Sequence, residues 1–154
     1  MVQNGRVSVK NTSIDALDRR ILDILGNDAR ISWKELAERV HLAPSSVADR
    51  VRRLEASGVI RGYGVTLDRA ALGRTVRAVV DVALPPGADP ATFEHTLSGR
   101  DEVALAMYVT GPSDYTLVVD CVGAEGLDEF IRWLKAEAGV ARTESKFVLR
   151  PVIG

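Results

Sequence analysis

The chain is poor in the residues that carry covalent and metal chemistry. Of its 154 residues, one is cysteine and two are histidine. A single thiol, Cys121, excludes an internal disulfide and suits a reducing, cytoplasmic setting. It sits in an apolar, strand-like run, which reads as a buried inert thiol rather than a nucleophile. His41 and His95 are far apart with no ligand spacing around either, so no metal site is expected. No apolar run is long enough to span a bilayer, so no membrane association is expected. Residues 1–12 lack the apolar centre of a secretory signal and read as a loose polar arm. No acid, base and nucleophile converge, so neither an enzyme nor a cofactor is expected.

Net charge is also scarce, at −1, but it is unevenly spread. Residues 1–62 hold eleven Lys/Arg against eight Asp/Glu, and residues 63–154 hold nine against thirteen. A mildly basic front half and an acidic back half suit a DNA-binding domain followed by a domain that does not bind DNA. The surplus is small, so one copy should bind DNA weakly, and useful affinity needs two copies on adjacent half-sites. The length allows one ordinary domain or two small ones.

The front half reads as three helices. Ser13 or Asp15 caps the first, which runs from Asp15 to about Leu25 and offers an apolar face through Leu17, Ile21, Leu22 and Leu25. Ser32-Trp33-Lys34-Glu35 opens the second as a capping box, in which Ser32 accepts from a first-turn N–H and Glu35 reaches back. His41-Leu42-Ala43 is a tight turn. Pro44 then occupies a first helical position, where a missing N–H costs nothing. That third helix runs to Ser57, and Gly58 stops it. Two short helices with so tight a turn make one helix protrude, and a protruding helix can enter a major groove.

The two faces of the third helix separate cleanly. At about 100° per residue, Val47, Val51 and Leu54 fall together and pack inward. Ser45, Ser46, Asp49, Arg52 and Arg53 fall on the far side, with Arg50 at the edge. Ser45, Ser46 and Asp49 suit base edges, whereas Arg50, Arg52 and Arg53 suit phosphates or one guanine. Asp49 repels phosphate, so it either accepts from a cytosine amino group or orients an arginine. The competing reading is a solvated amphipathic helix with Asp49 paired to Arg52 or Arg53. Val59 to Thr66 alternates loosely and reads as a strand-like wing, with Arg61 in reach of a phosphate. The boundaries that follow are an arm at 1–12, a winged helix-turn-helix at 13–62, a linker at 63–75 and a second domain at 76–154.

The back half alternates at Val76, Ala78, Val80, Val82 and Leu84, as a half-buried strand does. Pro85-Pro86-Gly87 ends that strand, and Asp89-Pro90 starts a helix bearing Phe93 and Leu97. Val103–Thr110 and Tyr115–Val122 are strands joined by the turn formers Gly111-Pro112-Ser113-Asp114. Glu125–Ala138 is a helix with Leu127, Phe130, Ile131 and Leu134 inward. Phe147 to Ile153 belongs to a last strand. The order β-α-β-β-α-β is the ferredoxin-like plan, so the fold class is α+β.

From about Ser13 onward the chain resembles the leucine-responsive/asparagine-regulator (Lrp/AsnC, or feast/famine) family of transcription factors. The matching residues are Leu17-Asp18 with Ile21-Leu22, Ala29-Arg30-Ile31-Ser32, Glu35-Leu36-Ala37, Arg50-Val51-Arg52-Arg53-Leu54-Glu55, Gly58-Val59-Ile60 and Gly73. Further on, Thr110-Gly111-Pro112-Ser113-Asp114-Tyr115 resembles the family's TGxxDY turn, and Gly139-Val140 with Thr143-Glu144-Ser145 resembles the start of its last strand. Two positions depart from the pattern: Ala43, where a serine cap is common, and Ser145, where threonine is usual.

The resemblance implies a sequence-specific regulator that binds palindrome-like double-stranded DNA. It implies that the C-terminal (RAM) domain pairs through its sheet, and that dimers assemble further, often into octamers. A small effector, usually an amino acid, then binds between C-terminal domains near the TGxxDY turn. Carried over, Gly111 gives close backbone approach. Asp114 and the backbone of Pro112 and Ser113 hold the effector's charged groups, and Met107, Tyr108 and Thr110 shape its pocket. The alternatives are that Gly111 and Asp114 only make a hairpin, and that the protein is a ligand-independent architectural DNA binder of the same fold.

Overall fold

The computed structural model describes residues 13–150 and Val152. The arm expected at residues 1–12, and Pro151 and Ile153 of the expected last strand, lie outside them. The chain divides into two compact units, Met1–Thr66 and Leu67–Gly154.

The first unit holds α1 (Ala16–Asn27), α2 (Trp33–Val40) and α3 (Pro44–Ala56). Of the two cap residues expected for α1, Asp15 is the one used. Its carboxylate accepts the Asp18 N–H at 2.7 Å, and the Asp18 carboxylate accepts the Asp15 N–H at 3.1 Å. This reciprocal pair satisfies two donors that the first turn leaves free. At α2 only half of the expected box forms. Ser32 Oγ accepts from the Glu35 N–H at 3.2 Å, but the Glu35 carboxylate takes Arg39, one turn on, at 2.6 Å. A full guanidinium charge outcompetes a single backbone N–H for that carboxylate. Ala43 caps α3 without a side-chain bond, and Gly58, at φ +76°, supplies the left-handed stop. Ile21, Leu36, Val47 and Leu54 are fully buried where the three helices meet.

The strand-like wing is not seen. Val59–Thr66 pairs with no strand among the described residues. Among the described residues its own unit contains no strand to pair with, and a lone segment has nothing to take up its backbone groups. One side-chain tether is present, from the Tyr63 hydroxyl to Glu55 at 2.8 Å. Burial, then that carboxylate, push the Tyr63 phenol up to about 12.

The second unit is β1 (Val76–Ala83), α4 (Pro90–Leu97), β2 (Val103–Tyr108), β3 (Tyr115–Cys121), α5 (Gly123–Ala136) and β4 (Arg142–Phe147). The sheet order is β2-β3-β1-β4 with every pair antiparallel, the ferredoxin-like arrangement. Asp89 caps α4 through the Ala91 and Thr92 N–H groups. Ala78, Val80 and Val82 of β1 and Leu117, Val119 and Cys121 of β3 form the core with Phe93, Phe130 and Leu134 of the helices. Burial raises the Cys121 thiol above its usual range, in keeping with an inert thiol. The opposite sheet face carries Val79, Val118 and Leu105 in one row and Asp81, Thr116 and Met107 in the next. Leu105 is half exposed there.

The last strand differs from its expectation. It begins at Arg142 and ends at Phe147, with Phe147 opposite Ala78. The apolar run from Phe147 suggested a later strand, but β4 is an edge strand. A strand paired on one side only takes polar residues such as Arg142, Glu144 and Lys146 readily.

Candidate DNA-reading helix and effector turn

Packing of α3 on Val47, Val51 and Leu54 leaves Ser45, Ser46, Asp49 and Arg52 on its exposed side. Asp49 and Arg52 pair at 2.7 Å, with about 70% of each side chain open to solvent: 68% and 71%. Exposed pairs of this kind contribute little and separate easily, so both groups are available to a partner.

Arg50 and Arg53 are placed differently. Arg50 Nη1 donates to Asp15 at 2.6 Å and to Asp18 at 2.8 Å, and Arg53 Nη2 donates to Asp18 at 2.6 Å. The Asp18 side chain has no exposed surface. These bonds join α3 to the start of α1 and fix the angle at which α3 projects. The Asp18 N–H, followed by Arg50, holds the Asp15 carboxyl below its ordinary range. The two carboxylates in turn raise Arg50. Arg61 is exposed in the segment after Gly58.

Asp15 and Asp18 were not among the expected site residues, although a signal was present. Asp18 precedes Ile21 by three positions and Leu25 by seven, which puts a carboxylate on the apolar face of α1. A carboxylate in that position needs a charged, hydrogen-bonded partner.

At the turn after β2, Gly111 has φ +128°. A Cβ there would meet no other atom of the chain within 4 Å, so within the chain itself the glycine is required by its backbone angle. The Asp114 carboxylate accepts the Leu84 N–H at 2.7 Å, and the Asp114 N–H donates to the Val82 carbonyl at 2.8 Å. Asp114 therefore ties the turn to the end of β1. Arg142 donates to the Pro112 carbonyl at 2.9 Å. Ser113 is half-buried in the turn, and Thr110 is exposed.

Met107 and Tyr108 are not brought together. Successive strand residues point to opposite faces. Met107 lies opposite Thr116, whereas Tyr108 lies opposite Tyr115. The Tyr108 ring contacts Tyr115 at 5.0 Å between centroids, and Tyr115 donates to Glu94 at 2.9 Å. Burial and Glu94 push the Tyr115 phenol up to about 12. Tyr108 and Asp114 border a hollow of about 310 Å³ whose other wall is Leu84, Pro85, Gly87 and Pro90. That wall was not foreseen, because Pro85-Pro86-Gly87 reads from sequence only as a strand stop.

Two family models match the chain. One is a winged helix-turn-helix DNA-binding model over residues 14–61, and the other is the Lrp/AsnC ligand binding domain over residues 77–153. The HTH-type transcriptional regulator AldR of Mycolicibacterium smegmatis is 36% identical over 149 residues, covering 95% of this chain and 87% of that protein. A transcriptional regulator of Neisseria meningitidis, solved with L-methionine, is 28% identical with a TM-score of 0.88, covering 92% of this chain and 94% of its own. The feast or famine regulatory protein of Mycobacterium tuberculosis, also complexed with L-methionine, is 32% identical with a TM-score of 0.83, covering 92% and 96%. The helix-turn-helix and the ferredoxin-like domain occur in the order in which the two family models match, and the relatives are regulators rather than enzymes. The chain belongs to the Lrp/AsnC family of DNA-binding transcriptional regulators.

Proposed function

We propose that this regulator reads DNA through the outer face of α3 and changes its assembly, and with it its DNA affinity, when an amino acid binds at the turn after β2. Ser45, Ser46 and Asp49 read base edges, and Arg52 and Arg61 hold phosphates. Arg50 and Arg53 act as positioning residues that set α3 against α1. The observation that carries the DNA reading is the division of labour along α3. Two arginines are engaged by Asp18, and the N-terminal half of the exposed face is left open.

The effector reading is supported by the two relatives solved with L-methionine and by the open hollow beside Tyr108 and Asp114. Because the Asp114 carboxylate is engaged by Leu84, free backbone groups of Thr110–Ser113 and a second copy of the chain contribute most of the polar contacts. Pairing through the half-exposed Leu105 row of the sheet supplies the dimer, and dimers assemble further around the turn. The protein works in the cytoplasm on the nucleoid. An effector shifts assembly only if it binds one assembled state better than another.

A melting-temperature screen of the twenty amino acids, followed by sedimentation at each hit, tests this. A hit that also changes the sedimentation coefficient is the expected result. No shift with any amino acid, in a protein that still binds duplex DNA, leaves the ligand-independent architectural reading instead.

A further inference from the structure

The second unit is acidic, with nine Lys/Arg against thirteen Asp/Glu. Four of those nine cations nevertheless line one hollow of about 330 Å³: Arg69, Arg74, Arg77 and Arg150. Three separate segments bring them there. Asp68 accepts the Ala70 and Ala71 N–H groups at 3.0 and 3.2 Å, and the Arg74 N–H donates to the Arg69 carbonyl at 2.9 Å. This turn sets Arg69 and Arg74 side by side. Arg77 stands on β1 opposite Asp120 on β3. The Val148 N–H donates to the Arg77 carbonyl at 2.9 Å, so the chain after β4 returns past Arg77 and brings Arg150 to the hollow.

Both carboxylates at the hollow are already engaged. Asp68 holds the turn. Asp120 is 2% exposed, accepts Arg77 through two bonds of 2.6 and 2.9 Å and has Arg69 at 3.7 Å. Arg74 reaches only a carbonyl, that of Asp120, at 2.8 Å. Among the described residues, neither Arg74 nor Arg150 has a carboxylate partner. A buried aspartate is fully satisfied by one bidentate arginine and a second nearby. The two remaining guanidiniums, Arg74 and Arg150, keep donors that no carboxylate among the described residues takes. Planar guanidinium forks in pairs match the oxygens of a phosphate group.

We propose that this hollow binds a phosphate group, taken by Arg74 and Arg150 in front of Arg69 and Arg77, which Asp120 anchors. The phosphate belongs either to the DNA backbone or to a small phosphorylated compound, and the two sources separate by experiment. The full chain is titrated with inorganic pyrophosphate by calorimetry. In parallel, its affinity for a mixed-sequence duplex is followed by anisotropy across a salt series. The variant Arg74→Gln/Arg150→Gln leaves the Arg77–Asp120 pair intact. Arg150→Gln alone changes one exposed residue and serves if the turn loosens in the double variant.

A small-compound source predicts a loss on the order of tenfold or more in pyrophosphate affinity, with the salt slope unchanged. A DNA source predicts a salt slope shallower by about two per protomer in the double variant and about one in the single. Arg52→Ala separates this site from the recognition helix, because it lowers the slope without altering pyrophosphate binding. If the variants change neither pyrophosphate affinity nor salt slope, the proposal is overturned.

Discussion

Replacing Asp18 with asparagine removes one charge from the joint between α1 and α3 at nearly constant shape. The Asp18 oxygens take Arg50, Arg53 and the Asp15 N–H. An asparagine keeps one acceptor and turns an NH2 group toward these donors. Removing one partner from a buried ion pair costs about 3–5 kcal/mol. Here the two arginine side chains are 26% and 48% exposed and can turn toward water, which places the cost at the low end, about 3 kcal/mol. For a unit of this size, each kcal/mol moves the melting temperature by roughly 4–8 °C, so a fall of about 15 °C is expected. The chain has two tryptophans, Trp33 in α2 and Trp133 in α5. In a Trp133→Phe background, Trp33 fluorescence reports urea unfolding of the first unit alone. A midpoint shift at constant slope then gives the cost directly. A loss below about 1 kcal/mol, as expected for an exposed pair, would show that Asp18 does not hold the helix.

Three further outcomes follow from the same geometry. Arg52→Ala should make the salt slope of duplex binding shallower by about one per protomer while leaving stability within about 0.5 kcal/mol; Arg50→Ala should lower the melting temperature and leave the slope nearly unchanged. Gly111→Ala forces an L side chain to φ +128°, so the second unit should lose about 1–2 kcal/mol in urea unfolding, and any melting shift given by an amino acid should shrink. Asp120 is held below its usual 3.8, first by its bonds to Arg77. The unfolded chain therefore takes up this proton before the folded one does. The resulting stability is complete above about pH 4 and is lost as pH falls through the lower folded value. Urea midpoints of the second unit measured from about pH 5 downward should fall in the parent and fall less in Asp120→Asn.

Much of the fold was legible because its determinants are local. Val47, Val51 and Leu54 in α3, and Ala78, Val80 and Val82 in β1, announce their elements by period alone. What escaped depends on partners distant in sequence. Arg50 and Arg53 look from sequence like two phosphate ligands, because Asp18 lies 32 and 35 residues away. β4 was displaced along the chain because an edge strand need not be apolar, and only pairing with β1 fixes it at Arg142–Phe147. The wing was expected from alternation, but alternation supplies no backbone partner. Met107 and Tyr108 are neighbours in sequence, yet the strand sends them to opposite faces. At the turn, Asp114 carries the right chemistry for a ligand, but its carboxylate already receives the Leu84 N–H. The arginines around Asp120 gave no sequence signal, because they come from a turn, a strand and a tail.

The role proposed for α3 is to read DNA as half of a symmetric pair. In vitro selection of duplexes from a random library by the purified full chain tests it most directly. Enrichment of an inverted repeat whose half-sites lie about one helical turn, or a multiple of it, apart is expected, with enrichment lost in Ser46→Glu. Selection of no sequence, or of a single site without a symmetric partner, would contradict it.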